Sequence, residues 1–235
     1  MAPVLFAAFI ILSTAPSHAG RSSFTIAPAR PAASLIVADK GKLRILVNGQ
    51  QVGKEEFEIS PSGSNWVAKG TAEIQSPQGN SHVTGALELM PDGTPIHYQW
   101  STDAPKKASA VIAFNGPKAD IELHLEGARP YNQQFTFNSP LVIILDNNLY
   151  HQYAVLARFY DWSKRGSQTF PVLIPQELMT GTITAESTGS ATLDGKSYEG
   201  FRVSTTDLEV DLFLDSNHRM MRLEVPTAKV SVIRD

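Results

Sequence analysis

The sequence contains no cysteine, which excludes disulfide bonds, thiolate metal sites, cysteine nucleophiles and a lipidated N-terminal cysteine. Charged residues are also sparse, at 18% of 235 residues, and the formal net charge is only −3. A balance this close to neutral argues against a nucleic-acid-binding protein, because phosphate binding draws on clustered Lys and Arg. We therefore expect no nucleic-acid partner.

Long hydrophobic runs are missing too. The longest covers residues 4–12, which is far short of the roughly 20 residues of a membrane-spanning helix but typical of the apolar core of a signal peptide. Pro16 then breaks the run, and Ser17 and Ala19 are small residues at the −3 and −1 positions of a cleavage site. These features predict export to the periplasm or the cell exterior, with cleavage near Ala19 and no membrane span in the mature chain. Because no Lys or Arg precedes the run, a buried N-terminal strand or helix is the alternative.

Residues 20–33 are rich in Ser, Ala, Pro and Arg and show neither helical nor strand periodicity. Pro28 and Pro31 remove backbone donors and favour an extended chain. We interpret this segment as a flexible tether, and residues 34–235 as a single antiparallel β domain.

Alternation of apolar and polar residues dominates that domain. Residues 43–47 alternate strictly before Asn48-Gly49, and Asn-Gly between alternating segments is the strongest short-range hairpin signal, since both turn residues need a positive φ. The same kind of dipeptide recurs at Asp92-Gly93 and Asp194-Gly195. About a dozen strands separated in this way predict an antiparallel meander. Residues 169–174, with flanking prolines, are typical of an edge strand or an extended loop.

One segment breaks the alternation and predicts a helix near residues 147–162. Its apolar residues recur at i, i+4, i+7 and i+11, and they are Leu149, Tyr153, Leu156 and Tyr160. Asp146 or Asn147 is the expected N-cap. The opposite face carries His151, Gln152 and Arg158, which suits a helix that lies on a sheet with one side in water.

The absence of βαβ alternation excludes the doubly wound and TIM-barrel classes. A long antiparallel sheet must close, curl or cover its apolar face. The fold class we expect is mainly β, with a single strongly curved antiparallel sheet, an unclosed barrel, wrapped around one central helix. A β-sandwich is the alternative.

Local catalytic and metal-binding motifs are absent: there is no G-x-S-x-G elbow, no G-x-G-x-x-G after a strand and no H-E-x-x-H. We therefore expect no enzyme, no cofactor and no metal. Glu55 is the unusual residue, because it alternates with Phe57 and Ile59 onto an apolar strand face, where a charge is expensive unless it is paired. The alternative is a dispersed active site with Glu55 or Asp146 as the base and a histidine from a neighbouring strand.

The aromatic residues form either a packed core or the lining of a cavity between sheet and helix. Small-molecule sites are mostly apolar with a few polar groups. Our pocket candidates are Trp66 and Trp100 from the strands and Tyr153 and Leu156 from the helix, with Glu55 as a possible polar group.

Residues 47–59 read V-N-G-x-x-V-G-x-E-x-F-x-I, and residues 65–70 read N-W-V-A-K-G. This pattern resembles exported families of unknown function related to LolA-like half-barrel proteins, DUF3108 among them. The resemblance implies an unclosed antiparallel barrel with helical material over its concave face, in a fold whose members carry acyl chains or lipoproteins or sense hydrophobic ligands. One helix is predicted here, whereas the lipoprotein carriers have several, and the resemblance carries over no functional residue.

The function we expect is that of an exported, non-catalytic protein that binds a hydrophobic ligand, such as a lipid or an acyl chain, or an envelope component, in the concave face of the sheet. The alternative is an interaction module whose open edge, at residues 169–174, pairs with a protein partner by strand addition.

Overall fold

The computed structural model describes residues 34–76 and 79–235, and the predicted signal peptide and tether at residues 1–33 lie outside the described residues. Within the described part, fifteen strands, one α-helix and two short 3-10 helices make a mainly β protein. The strands are β1 (Asp39–Val47), β2 (Gln50–Ser62), β3 (Asn65–Ser76), β4 (Gly79–Leu89), β5 (Pro95–Thr102), β6 (Ala108–Asn115), β7 (Lys118–Leu125), β8 (Tyr131–Thr136), β9 (Ile143–Ile144), β10 (Gln168–Ile174), β11 (Met179–Leu193), β12 (Lys196–Ser204), β13 (Glu209–Leu214), β14 (Met220–Val225) and β15 (Val230–Arg234). The helix α1 covers His151–Phe159, and the 3-10 helices cover Pro175–Glu177 and Pro226–Ala228.

The strands form one sheet in which nearly every strand pairs with its neighbour in sequence. β1 pairs with β15 in the middle, β2 to β8 follow β1 on one side, and β14 down to β9 follow β15 on the other. All the pairs are antiparallel except β9 with β10, which is parallel. Among the described strands, β8 and β9 are the two edges and do not pair with each other, so the sheet stays open. The antiparallel meander and the unclosed sheet are confirmed, and a single continuous sheet replaces the two sheets of a sandwich.

The three predicted hairpins are confirmed, and two of them have the predicted two-residue turn. Asn48 and Gly49 have φ values of 52° and 77°, and Asp194 and Gly195 have 51° and 74°, as a type I′ turn requires. The turn at Asp92-Gly93 is wider: the Met90 N–H donates to the Thr94 carbonyl at 2.8 Å, and of the turn dipeptide only Gly93 has a positive φ.

The two faces of the sheet differ in composition, because side chains alternate along each strand. One face, called here the inner face, carries the buried apolar side chains, such as Leu43, Ile45 and Leu87. The other, outer face carries charged pairs in water, such as Lys42 with Glu56 at 2.6 Å. Exposed pairs of this kind contribute little to stability, so the core on the inner face must stabilise the fold.

Helix α1 is shorter than predicted and has no water-exposed polar face at its start. Tyr150 is its N-cap residue and makes no side-chain cap bond, so the prediction of Asp146 or Asn147 as the cap was wrong. His151 and Gln152 are both buried, which corrects their expected exposure. In the part of the chain that the structure describes, no helix has the length and apolar character needed to cross a membrane.

The edge-strand prediction for residues 169–174 was also wrong. β10 pairs with β11 along its whole length and with β9 at Val172 and Leu173. Pro171 lies outside the short pairing with β9, so its missing N–H costs no bond there. The edge next to β10 is instead β9, a two-residue strand too short to give an alternating pattern in the sequence.

Candidate functional site

Eight residues that pair with one another from strand to strand form a row across the inner face from β1 to β8, and we call it the central row. Its members, in strand order, are Gly41, Phe57, Gly70, Gly85, Trp100, Ala110, Leu123 and Tyr131. Three of the first four are glycines, so the sheet offers almost no side-chain volume along this half of the row. The helix and the last strand fill that space.

The space above each glycine is occupied by a side chain from elsewhere in the fold. A Cβ atom on Gly70 would lie 2.5 Å from His151 Nδ1, and one on Gly85 would lie 2.6 Å from Leu149 Cδ1. A Cβ on Gly41 would lie 3.0 Å from Arg234 Nη2. Gly70 and Gly85 therefore permit a close approach that a Cβ would prevent, whereas the contact at Gly41 is looser.

Phe57 lies between the side chains of His151 and Arg234, which occupy the space above Gly70 and Gly41. The His151 ring stacks on it at a centroid distance of 6.0 Å and an interplanar angle of 13°, and the Arg234 guanidinium lies 5.3 Å from its ring centre. Each outer member has a carboxylate partner: Arg234 donates to Asp39 at 2.5 and 3.1 Å, and His151 Nδ1 lies 2.5 Å from Glu55 Oε1. The five side chains join β1, β2, β15 and α1 in one layered stack, which we call the buried stack.

The carboxylate of Glu55 also caps the N-terminus of helix α1. Its Oε2 accepts the Tyr150 N–H at 2.8 Å and the His151 N–H at 3.3 Å, and the side chain is 0% exposed. A carboxylate at a helix N-terminus satisfies donors that the helix leaves free and faces the positive end of its dipole. The prediction that Glu55 lies on the apolar face is confirmed, and these bonds are what make a buried charge tolerable there.

Glu55 and His151 are the two converging titratable groups that a dispersed active site would need, although the histidine comes from the helix and not from a neighbouring strand. Both residues are buried between Phe57 and Gly70, with 0% of Glu55 and 1% of His151 exposed to solvent. Their geometry fits a structural role. Among the described residues, no group of three or more His, Asp or Glu side chains could hold a metal ion.

A second buried network lies beside the first and centres on Asp146. Tyr98 O–H donates to Asp146 Oδ2 at 2.6 Å, and the Gln176 N–H donates to Oδ1 at 2.9 Å. Gln152 closes the ring, because its Oε1 accepts the Asp146 N–H at 2.5 Å and its Nε2 donates to the Tyr98 oxygen at 3.0 Å. Burial raises the pKa of Asp146 to about 7, against the opposing effect of its hydrogen bonds from Tyr98 and Gln176.

We expect this carboxyl group to make stability depend on pH. The folded protein holds the Asp146 proton up to about pH 7, while the unfolded chain releases it near 3.8. The contribution is therefore fully present below about 3.8 and is lost as the pH rises through 7, by up to a few kcal/mol. Urea unfolding at a series of pH values should show the loss, and Asp146→Asn should flatten this part of the profile. Equal pH slopes for the two proteins would contradict the assignment to Asp146.

The four predicted pocket residues all join one hydrophobic cluster. Trp100 and Leu156 are buried members of it, and Trp66 and Tyr153 are half-buried residues packed against it. Burial raises the pKa of the Tyr153 hydroxyl to about 12. Glu55, the predicted polar group of the pocket, belongs instead to the buried stack, where it contacts His151.

Trp100 has an unusual feature that no sequence pattern indicates. Its indole nitrogen, Nε1, is buried and has no hydrogen-bond partner among the described residues. A buried donor without an acceptor costs about 1–3 kcal/mol. The site around Trp100 therefore lacks one hydrogen-bond acceptor.

The central row becomes more exposed from Trp100 toward the β8 edge. The side chains of Trp100, Ala110 and Leu123 are 5%, 1% and 9% exposed, whereas that of Tyr131 is 50% exposed. Leu125, two residues after Leu123 on the same face of β7, is 47% exposed. The inner face is thus sealed at its centre and presents uncovered apolar side chains at the β7–β8 end.

The outer face holds a shallow groove of about 660 Å³ that crosses β2 to β6 over the backbone of Gly70 and Gly85. Small hydroxyl and amide side chains line it, namely Thr71, Thr84, Gln99, Ser101 and Ser109. Thr84 and Ser101 bond to each other at 2.8 Å. Charged side chains, among them Glu56 and Lys69, also line it, so this surface carries exposed charged groups that the buried inner face lacks.

Comparison with known proteins supports the fold. No family model matches the chain, and no curated protein matches it. The chain is similar to the crystal structure of a β-barrel-like protein of the domain of unknown function DUF1849 from Brucella abortus, with a TM-score of 0.56, 8% identity, and coverage of 85% of this chain and 95% of that one. A DUF1089 family protein from Pseudomonas aeruginosa gives a TM-score of 0.47 at 9% identity, with coverage of 75% and 90%. The first likeness shows a barrel-like fold, and the resemblance to LolA-like and DUF3108 proteins stays a prediction.

Proposed function

We propose that this protein is an exported, non-catalytic binding protein that holds a hydrophobic ligand with a hydrogen-bond acceptor, such as a lipid or an acyl chain, against the inner face of the sheet. The ligand would enter at the exposed end of the central row and would have to displace part of the packing around Trp100, Ala110 and Leu123, which are 5%, 1% and 9% exposed. The observation that carries the proposal is the buried Trp100 N–H, which has no acceptor among the described residues.

A ligand oxygen at Trp100 would supply the missing acceptor. Because the unpaired donor costs free energy in the empty protein, its pairing favours the bound state. The rest of the path is apolar, since Ala110, Leu123 and Leu125 follow toward the edge. A mostly apolar site with one placed polar group is the usual composition of a small-molecule site.

We also propose that the sheet curves around α1, so that the helix forms the second wall of the site. Contacts of the helix segment reach both halves of the sheet. Glu55 on β2 bonds to its start, and Gln152 bonds to Tyr98 on β5. On the other half, Arg158 donates to the Asn217 carbonyl between β13 and β14 at 2.7 Å.

The proposal that the protein is exported rests on residues 1–19. The intact mass of the protein purified from its host would test cleavage near Ala19.

The enzyme alternative is less well supported. Glu55 and His151 are 0% and 1% exposed, so a substrate would have no access to them without displacing the buried stack.

Binding is tested by titration with hexadecanoate and, separately, with hexadecane, followed by native mass spectrometry. We expect hexadecanoate to bind, and Trp100→Phe to weaken it about tenfold, because the variant keeps an aromatic ring but lacks the donor. Hexadecane, which has no acceptor, should bind the two proteins with similar affinity.

Trp66 was predicted as a pocket residue, but it lies on β3, outside the proposed path from Trp100 on β5 to the β8 edge. Trp66→Phe is therefore the matched control, because it makes the same chemical change at a half-buried tryptophan. It should leave hexadecanoate binding nearly unchanged. Equal affinities of the wild-type protein and Trp100→Phe for hexadecanoate would remove the assignment, as would a complete lack of binding by the wild-type protein.

A further inference from the structure

The two edges of the sheet differ in how they are protected. Native edge strands are normally blunted by charged side chains, proline, bulges or short length, because their free N–H and C=O groups invite pairing. β9 is protected by its length of two residues. β8 has six residues, Tyr-Asn-Gln-Gln-Phe-Thr, with no charge and no proline. Among the described strands it pairs only with β7.

The faces of β8 follow from its register with β7. Gln133 pairs with Ile121 and Tyr131 with Leu123, and both partners are buried on the inner face. Tyr131, Gln133 and Phe135 therefore belong to the inner face, and Asn132, Gln134 and Thr136 belong to the outer face. Inner and outer positions both carry uncharged side chains.

We propose that β8 pairs antiparallel with β8 of a second copy of this chain, which makes a symmetric dimer with a continuous sheet. Residues directly opposite each other in an antiparallel pair point to the same face. A two-fold axis must therefore pass through a residue, and the two central residues of β8, Gln133 and Gln134, are the candidates.

The side chains select the axis at Gln133. That register places Tyr131 opposite Phe135 of the second copy, and Gln133 opposite Gln133 of the second copy. Aromatic side chains then pair with aromatic side chains, and amide side chains with amide side chains. The axis at Gln134 would instead place Gln133 opposite Phe135. Aromatic cross-strand pairs are favourable, and the half-exposed Tyr131 would be covered in the Gln133-centred dimer. The contact is isologous, as two-fold symmetry requires.

A charge at the axis tests the register directly. Gln133→Lys would place two ammonium groups opposite each other, and Gln133→Glu two carboxylates, so each variant alone should dimerise roughly tenfold more weakly or worse than the wild-type protein. A mixture of the two should recover dimers, because opposite charges then meet. Sedimentation velocity over a concentration series and native mass spectrometry measure the populations.

The control is Gln134→Lys, one residue away on the outer face. Gln134 already contacts Asp120, at 2.6 Å, so a lysine there gains a charge partner within its own chain and should leave dimerisation intact. Thermal unfolding checks that each variant folds. A wild-type protein that stays monomeric at its highest soluble concentration would overturn the proposal, as would a Gln133→Lys variant that dimerises as well as the wild type.

Discussion

Replacing Gly70 with alanine should destabilise the protein by about 3 kcal/mol, the upper range for overpacking a well-filled core. The new Cβ would lie 2.5 Å from His151 Nδ1 and 2.7 Å from Glu55 Oε1, and neither group can move without breaking the cap of the helix. Elsewhere, where the added methyl fits, Gly-to-Ala changes stabilise proteins by about 0.4–1 kcal/mol through the unfolded chain. The expected effect therefore has the opposite sign. Urea unfolding measures it.

Two further variants separate a steric effect from a general loss of strand structure. Gly41→Ala is the control in the same row, where the new Cβ would lie 3.0 Å from the Arg234 guanidinium, a looser contact than the 2.5 Å at Gly70. It should cost much less than Gly70→Ala. In a His151→Ala background the closest obstacle is gone and Glu55 Oε1, at 2.7 Å, remains, so Gly70→Ala should cost less than in the wild-type protein, which a double-mutant cycle would detect. Equal costs for Gly41→Ala and Gly70→Ala would refute the packing argument.

The features that could be predicted from the sequence are those that local chemistry determines. Asn48-Gly49 and Asp194-Gly195 form type I′ turns because those residues tolerate a positive φ, whatever the rest of the chain does. The inward direction of Glu55 follows from alternation within one strand. The unclosed antiparallel sheet follows from many alternating strands, with one α-helix among the described residues.

The features that were missed depend on residues far apart in the chain. The helix cap comes from Glu55, 95 residues before Tyr150, so no pattern around residue 146 could show that Asp146 is not the cap. Asp39 and Arg234 pair across 195 residues. His151 and Gln152 were assigned to a water-exposed face because they are polar, but the partners that satisfy them come from β2 and β5. Buried polar groups of this kind become recognisable only when their partners are known.

Replacing Glu55 with alanine should cost about 3–5 kcal/mol, the usual effect of removing one partner of a buried pair. The change would leave the Tyr150 and His151 N–H groups and the His151 ring without their acceptor. Glu55→Gln should cost less, since its carbonyl oxygen can still accept the Tyr150 N–H. In a His151→Ala background, part of the cost of Glu55→Ala should disappear, because one stranded group is gone.

Glu56→Ala provides the matched control, because Glu56 is the next residue of β2 and its carboxylate lies in water on the outer face with Lys42. Its loss should leave the free energy of unfolding nearly unchanged. Chemical denaturation of the wild type, the four single variants and the Glu55→Ala/His151→Ala double variant gives the comparison, and far-UV circular dichroism shows whether the helix is retained. If Glu55→Ala unfolded at the same urea concentration as Glu56→Ala, the carboxylate of Glu55 could not be what fixes the helix to β2, and the buried stack would have to be held by Arg234 and Asp39 alone.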